Sequence, residues 1–189
     1  MRIKHVIQES IALKQEILAN DDFLRNINDC VELCVQAIQN GNKLLFCGNG
    51  GSASDAQHLA AELSARFYLD RSPIYAEALH VNTSYLTAIS NDDDFNKAYE
   101  RLVEAKAKEG DVLFAISTSG TSTNVLRAVQ KAKDLNCKCI AFTGESGGDL
   151  KPIVDHCLCV PSNDTPRIQE AHIMIGHIIC ELIESKLFK

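Results

Sequence analysis

From residue 43 onward, short apolar runs alternate with stretches of helical periodicity, and this alternation limits the possible folds more than any other feature. Strands separated by helices favour parallel pairing with right-handed crossovers, so that helices cover both faces of the sheet. The pattern predicts a single doubly wound, three-layer α/β/α domain with a five-stranded parallel sheet. The expected strands cover residues 43–47, 74–79, 111–116, 137–142 and 156–160.

Two helical patterns precede the first strand, one over residues 3–18 and a more regular one over residues 23–38. Their apolar stripes must pack on something, and helices placed ahead of a sheet often form an assembly surface. We therefore expect residues 1–41 to be a helical extension used for oligomerisation and residues 42–189 to be the α/β core.

The charge and hydropathy of the chain exclude several partners. Its formal charge is −6, so it gains nothing from the counterion release that drives nucleic-acid binding. No segment approaches the roughly 20 apolar residues of a membrane span. Polar residues interrupt the N-terminal segment, whereas a signal peptide would have an unbroken apolar stretch there. We expect a cytoplasmic protein without nucleic-acid or membrane partners.

The eight cysteines include no CxxC motif. Two pairs have a single residue between them, which places both thiols on one face of a strand: Cys137 with Cys139, and Cys157 with Cys159. A thiolate metal site is one interpretation of such pairs. Buried, reduced thiols that act as small apolar side chains are the interpretation we favour.

Two polar loops follow predicted strands and open predicted helices, which is where open α/β sheets bind ligands. The first is Gly48-Asn49-Gly50-Gly51-Ser52, and the second carries five hydroxyls in residues 117–122 without a lysine or arginine. Helix N-termini offer free N–H groups and partial positive charge to a phosphate. Serine and threonine also favour ordinary helix caps, but five hydroxyls exceed what capping needs. We therefore predict a phosphate site built from hydroxyls and amides.

The first loop also satisfies the dinucleotide-binding pattern G-x-G-x-x-A, which is weak evidence by itself. A ribose-binding acid should end the next strand, but Asp70 precedes that strand. The chain also has little length left for a second, catalytic domain. A nicotinamide enzyme is therefore disfavoured.

Acid–base side chains lie on two predicted helices. His58 and Glu62 share one helix face, and the last helix adds Gln169, His172 and His177 within an apolar stretch. A solvated helix pair and a satisfied core histidine are the ordinary explanations for each residue taken alone. Glu62, His58 and His177 together indicate acid–base or metal-binding chemistry.

Taken together, these motifs resemble the phosphoheptose isomerases, which are sugar isomerase (SIS) domain enzymes. The resemblance rests on residues 47–52, His58 to Leu63, Ser117 to Gly120, and Arg167 to His172 with His177, and it covers nearly the whole chain. It implies conversion of D-sedoheptulose 7-phosphate to D-glycero-D-manno-heptose 7-phosphate, the entry step to bacterial ADP- and GDP-heptoses of surface polysaccharides. It also implies bound zinc and homotetramers with active sites between subunits.

The resemblance further implies a role for particular residues. Pro166 departs from it, because relatives vary at this position and some carry an acid there, so no substrate contact is carried over to it. The implied zinc ligands are His58, Glu62, Gln169 and His177. The implied substrate-binding residues are Asn49, Gly50, Gly51, Ser52, Glu62, Asn91, Asp92, Ser117, Thr118, Ser119, Ser122 and Gln169.

Aldose–ketose isomerisation moves a proton between C1 and C2 through an enediol, and we expect Glu62 to be the base and His177 its acid–base partner. Gln169 and His177 lie eight residues apart, or about 12 Å along a helix, so one ion is expected to take them from different subunits. A non-catalytic SIS module that binds a sugar phosphate or a protein such as a replication initiator is the main alternative. An isomerase or deaminase of a hexose phosphate is another.

Overall fold

The computed structural model describes residues 1–188, and its centre is one sheet of five parallel strands in the order β2-β1-β3-β4-β5. The predicted doubly wound α/β fold is confirmed. The second strand is shorter than expected at both ends, because pairing with its neighbour begins only at Ala76 and the chain turns into a 3-10 helix at Leu79–Val81. The strands are β1 (Leu44–Gly48), β2 (Ala76–Ala78), β3 (Val112–Ile116), β4 (Lys138–Thr143) and β5 (His156–Cys159).

Seven α-helices surround the sheet within the described residues. The helices are α1 (Arg2–Leu18), α2 (Asp21–Gln39), α3 (Gly51–Ser64), α4 (Thr83–Asp92), α5 (Ala98–Lys106), α6 (Thr123–Asp134) and α7 (Thr165–Leu187). Side chains of the strands alternate between the two faces of the sheet, so Phe46 and Phe114 meet α2, α3 and α7 while Leu45 and Leu113 meet α5 and α6.

The two leading helices differ in how they pack. Helix α2, capped by the side chain of Asn20, buries a long apolar stripe in the same cluster as α7. Helix α1 buries Leu13 and Ile17 but leaves Ile3 and Ile7 more than half exposed, at 67% and 54%. Between residues 1 and 188, no helix is both long enough and apolar enough to cross a bilayer.

The strand order places the two polar loops side by side. From β1 the chain crosses to β2 on one side, and β3 then enters on the other side of β1. Gly48 at the end of β1 pairs in register with Ile116 at the end of β3. The carboxyl ends of these strands therefore meet at a topological switch point, where doubly wound sheets bind their ligands.

All eight cysteines are free thiols, and six of them are buried. The interpretation as buried, reduced thiols fits those six. Cys157 and Cys159 are the two partly exposed members, and both lie on the edge strand β5.

Candidate active site

A cavity of about 320 Å³ opens between the two loops at the switch point. No lysine or arginine lines it, so in this part of the described chain the polar lining consists of hydroxyls, amides and backbone groups. The lining residues are Asn49, Gly50, Gly51, Ser52, Ile116, Ser117, Thr118, Ser122, Thr165 and Gln169.

The second loop, residues 117–122, is ordered by its own hydroxyls. Ser117 Oγ lies 3.1 Å from Ser122 Oγ, and Ser119 Oγ accepts hydrogen bonds from the N–H (3.2 Å) and hydroxyl (3.0 Å) of Thr121. Ser122 stands at the N-cap of α6 without a side-chain cap bond, so hydroxyls and helix N–H groups remain available to an anion.

The first loop enters α3 without any side-chain cap. Gly50 occupies the N-cap with a positive φ of 56°, a conformation that suits glycine, and no acidic residue lies in the first turn of α3. A negatively charged ligand therefore meets the positive end of the helix without a competing carboxylate.

A reciprocal amide pair joins the two loops. Asn49 and Asn124 each donate to the other's side-chain oxygen at 2.9 Å. Asn124 is buried in the first turn of α6, and motif reading did not single it out. Its only sequence signal is an amide in the first turn of the helix that follows the hydroxyl loop.

Gln169 belongs to this cavity through its close approach to α3. A Cβ on Gly51 would lie 2.5 Å from the side-chain amide of Gln169, so Gly51 is the residue that admits the glutamine. Gln169 and Thr165 line the cavity from the first turns of α7.

The predicted acid–base residues meet further along α3 and α7. His58 Nε2 lies 2.8 Å from His177 Nε2 and 3.2 Å from Glu62 Oε1. One ligand atom from each of these three side chains lies within 4.8 Å of the others. The three residues, here called the His58 cluster, are partly exposed and could converge on one ion.

Close packing sets the distance between the cavity and the His58 cluster. A Cβ on Gly176 would meet Leu59 at 2.6 Å, while Gln169 packs on Gly51, so α3 and α7 run in parallel. Seven residues separate Gly51 from His58, which is about 10 Å along α3. Gln169 is therefore placed in the cavity, about two helical turns from the cluster of the same chain.

A buried ion pair fixes the turn after α3. Glu184 accepts hydrogen bonds from the N–H groups of Phe67, Tyr68 and Leu69 at 2.8–3.1 Å, and from Arg71 Nε at 2.8 Å. Arg71 in turn donates to the last carbonyls of α3, at Glu62 O (3.0 Å) and Leu63 O (2.8 Å). The turn lays Phe67 against His177, with ring centroids 5.8 Å apart. Sequence reading missed this pair because its members lie 113 residues apart.

Two further titratable groups lie near the site. Burial raises the pKa of Asp55, one turn before His58, to about 6, although His58 opposes the shift. Burial also lowers the pKa of His172 to about 4, against the effect of its hydrogen bond to the Thr143 carbonyl. His172 is fully buried behind β4 and does not belong to the His58 cluster.

Three of the implied substrate residues belong neither to the cavity lining nor to the His58 cluster: Ser119, which lies in the hydroxyl loop beside the cavity, and Asn91 and Asp92. Asn91 and Asp92 end α4 at the surface, where Asn91 Nδ2 donates to Asp92 Oδ1 at 2.6 Å. Neither lines the cavity in the described chain. Pro166 lies at the start of α7, beside Arg167, which pairs with Glu170 at 2.7 Å.

Comparison with known proteins assigns the family. The SIS domain family matches residues 7–144 of the chain. The phosphoheptose isomerase of Clostridium acetobutylicum is 51% identical over 186 residues, which cover 98% of this chain and 95% of the relative. The chain belongs to the phosphoheptose isomerase family. The phosphoheptose isomerase of Aneurinibacillus thermoaerophilus is 46% identical, with coverage of 99% of this chain and 94% of the relative.

The fold agrees over the same extent. A solved phosphoheptose isomerase from Neisseria gonorrhoeae superposes with a TM-score of 0.92 at 41% identity, with 97% of both chains covered. A second, from Francisella tularensis, gives a TM-score of 0.92 at 37% identity. The match includes both leading helices, so as a phosphoheptose isomerase this chain has the expected architecture from end to end.

Proposed function

We propose that this phosphoheptose isomerase converts D-sedoheptulose 7-phosphate to D-glycero-D-manno-heptose 7-phosphate through an enediol. The observation that carries the proposal is the pairing of a cavity without cationic side chains, at the switch point, with the His58 cluster on the helices that leave it. The cavity suits a phosphate dianion, and the cluster supplies a carboxylate and imidazoles for proton transfer.

The phosphate binds to the hydroxyl loop and to the start of α3. Ser117, Ser119 and Ser122 present hydroxyls already oriented by mutual hydrogen bonds, so little rotamer freedom is lost when the anion binds. Helix N-termini supply the positive potential that the lining side chains lack. Asn49, Gly50, Gly51, Ser52, Thr118 and Gln169 complete this subsite, while Asn91 and Asp92 contact substrate only if α4 or another subunit brings them to it.

Glu62 moves the carbon-bound proton between C1 and C2, and His177 exchanges protons with the sugar oxygens. One residue can serve both carbons because the enediol carbons are adjacent. His58 lies within hydrogen-bond distance of both groups and orients them. Phe67 packs against one side of His177, with ring centroids 5.8 Å apart.

The His58 cluster also fits a zinc ion. Two imidazoles and a carboxylate form a catalytic zinc ligand set, and the three donor atoms already lie within 4.8 Å of one another. His58, Glu62 and His177 would hold the ion, with Gln169 as the fourth ligand implied by resemblance, and Glu62 would act as the base only while its carboxylate is released from the ion. Zinc there would supply Lewis-acid polarisation of the sugar oxygens.

We further propose a homotetramer in which sites are shared. Helix α1 exposes Ile3, Ile7, Ile11 and Leu18 along one side, an apolar stripe suited to a second copy of the chain. Gln169 sits in the cavity of its own chain, so it reaches a His58 cluster only on a neighbouring subunit. The sugar would then lie between the cavity of one protomer and the cluster of another.

The direct test is to incubate the protein with sedoheptulose 7-phosphate and follow aldose formation by NMR, with and without a chelator. The wild type should form the aldose, and Glu62→Gln should lose about 10²- to 10⁴-fold in kcat, the usual contribution of a general base. Sugar-phosphate binding with no turnover would instead support a non-catalytic SIS regulator. Faster turnover of a hexose phosphate would overturn the substrate assignment.

Mixing two inactive variants tests the shared site. Gln169→Ala damages the cavity and Glu62→Gln damages the cluster, so a mixed tetramer contains some intact pairs if sites lie between subunits. Activity should reappear after the two are unfolded and refolded together, but not when each is refolded alone. A folded monomer with full turnover would contradict sharing.

A further inference from the structure

The vicinal thiols of β5 form a cluster outside the proposed active site. Cys157 Sγ and Cys159 Sγ lie 3.4 Å apart on one face of the edge strand, and both residues are partly exposed. The hydroxyl of Thr143 on β4 lies 3.5 Å from Cys157 Sγ. We propose that Cys157 and Cys159 form a dithiolate site for a thiophilic divalent ion such as Zn²⁺ or Cd²⁺.

The geometry fits chelation better than a disulfide. The Cβ atoms of alternate residues of a strand point to the same face and lie about 6.6 Å apart, whereas a disulfide needs its Cβ atoms within about 4.5 Å. Oxidation to a disulfide would therefore have to distort the backbone of β5. Two sulfurs bound to tetrahedral zinc at about 2.3 Å lie about 3.8 Å apart. The present separation of 3.4 Å needs only a small adjustment to accept such an ion.

The contact between the two thiols affects their pKa values in opposite directions. The hydrogen bond between the sulfurs lowers the pKa of Cys159 to about 6, against the effect of burial, and it raises the pKa of Cys157. Binding of M²⁺ forms two M–S bonds and releases the remaining S–H protons to solvent, with no change of oxidation state.

The other pair with the same spacing provides an internal comparison. Cys137 precedes β4, and its thiol points to the carbonyl of Lys108 at 3.2 Å, while Cys139 is fully buried and points to that of Val129 at 4.0 Å. Those sulfurs engage different carbonyls, and burial raises the pKa of both thiols. The spacing of two cysteines is therefore not sufficient for a metal site. The direct contact between Cys157 Sγ and Cys159 Sγ distinguishes this pair from the other.

Close backbone contacts connect the β5 thiols to the hydroxyl loop. A Cβ on Gly147 would lie 3.1 Å from Cys159 Sγ, and a Cβ on Gly120 would lie 2.3 Å from the carbonyl oxygen of Gly147. A displacement of Cys159 is thus passed through one glycine turn to the loop that holds Ser119. Ion binding should therefore weaken sugar-phosphate binding, a consequence that rests on the proposed function, whereas the ion site itself does not.

The experiment is an anaerobic titration of the full-length protein with Cd²⁺ alone, monitored by near-ultraviolet thiolate-to-cadmium absorption. This band does not arise from histidine or carboxylate ligands, so cadmium in the His58 cluster does not contribute. We expect a band that saturates in the wild type and in Cys137→Ser with the amplitude of two thiolate ligands per chain, and its loss in Cys157→Ser and Cys159→Ser. A wild type without the band, or a Cys157→Ser protein that keeps it, would overturn the site.

Two measurements guard against misfolded variants and separate the two claims. The ¹¹³Cd NMR spectrum of the wild type should contain a resonance at the downfield position of a site with two sulfur ligands. The absence of that resonance would refute the proposal without the need for any variant. With Cd²⁺ present, KM for the sugar phosphate should rise several-fold in the wild type relative to Cys157→Ser. An equal KM in both proteins would refute the link to the hydroxyl loop, while the band would still establish the ion site.

Discussion

Replacing Glu184 by alanine should destabilise the protein strongly, although the substitution removes no residue of the His58 cluster. Glu184 and Arg71 are each 2% exposed at the side chain, and four donors converge on the carboxylate. Alanine would leave the Arg71 cation and three N–H groups buried without their acceptor. Removing one partner of a buried ion pair costs about 3–5 kcal/mol, a large part of an ordinary domain's stability.

The assay is urea unfolding at pH 7 followed by circular dichroism. Glu184→Ala should lower the free energy of unfolding by about 3–5 kcal/mol, and Glu184→Gln, which keeps the size and one acceptor, should lower it less. Since the turn after α3 carries Phe67, kcat should fall more than KM rises in Glu184→Gln. A loss below about 1 kcal/mol in Glu184→Ala would refute the reasoning, because it would make the pair equivalent to an exposed salt bridge.

Acid provides a second readout of the same group. Burial alone would raise the pKa of Glu184, but hydrogen bonds from Tyr68, Leu69, Phe67 and Arg71 outweigh it, and the pKa lies below the usual 4.5. A depressed carboxylate pKa adds stability above the unfolded-state pKa, and that stability is lost as the pH falls through the folded-state value. The wild type should therefore lose stability below about pH 4.5 by a component that Glu184→Gln does not show.

Three further predictions concern the core, the cavity and the hydroxyl loop. His172 has a pKa of about 4 in the folded protein against the ordinary 6.5, so the unfolded chain binds a proton first as the pH falls. The wild type should therefore lose about 3 kcal/mol of stability between pH 6.5 and pH 4. Urea unfolding at a series of pH values should show a smaller loss for His172→Gln. Gly51→Ala should displace the side chain of Gln169 and weaken sugar-phosphate binding measured by calorimetry. The free energy of unfolding should change by less than about 1 kcal/mol, because the displaced group is the end of a flexible side chain. Unchanged binding would show that Gln169 does not contribute to the sugar-phosphate site. Ser119→Ala should raise KM for the sugar phosphate by about tenfold through loss of a charge-assisted hydrogen bond, with kcat nearly kept, and a loss confined to kcat would contradict a phosphate-binding role.

The local sequence predicted the sheet and the edge at which the cavity opens. Strand length, apolar runs and the loops after β1 and β3 are all encoded within a few residues, and the parallel order follows from the intervening helices. Strand β2 was expected to be longer because Ile74 and Leu79 continue the apolar run, but the chain leaves the sheet after Ala78. An edge strand has a partner on one side only, so pairing constrains its ends less.

Contacts between distant segments were not predictable in the same way. The Asn49–Asn124 pair and the Arg71–Glu184 pair each join residues far apart in the chain, and no periodicity reports on such contacts. The grouping of Glu62 with His58 and His177 was expected from the residue types on the two helices and from the resemblance, whereas its geometry follows from the parallel packing of α3 and α7.

The division at residue 41 stays a prediction. Helix α2 shares the core cluster of α7, and the exposed apolar stripe that could serve assembly lies on α1.

The most direct test of the account is deuterium uptake by the sugar during isomerisation in D₂O. If Glu62 shuttles the carbon-bound proton, its protonated carboxyl group exchanges with solvent while the enediol is bound, so a fraction of the aldose formed by the wild type should carry deuterium at C2. Glu62→Gln should bind sedoheptulose 7-phosphate with nearly unchanged affinity yet incorporate deuterium at least about 100-fold more slowly. Incorporation at the wild-type rate in Glu62→Gln would contradict the assignment of the base and, with it, the proposed active site.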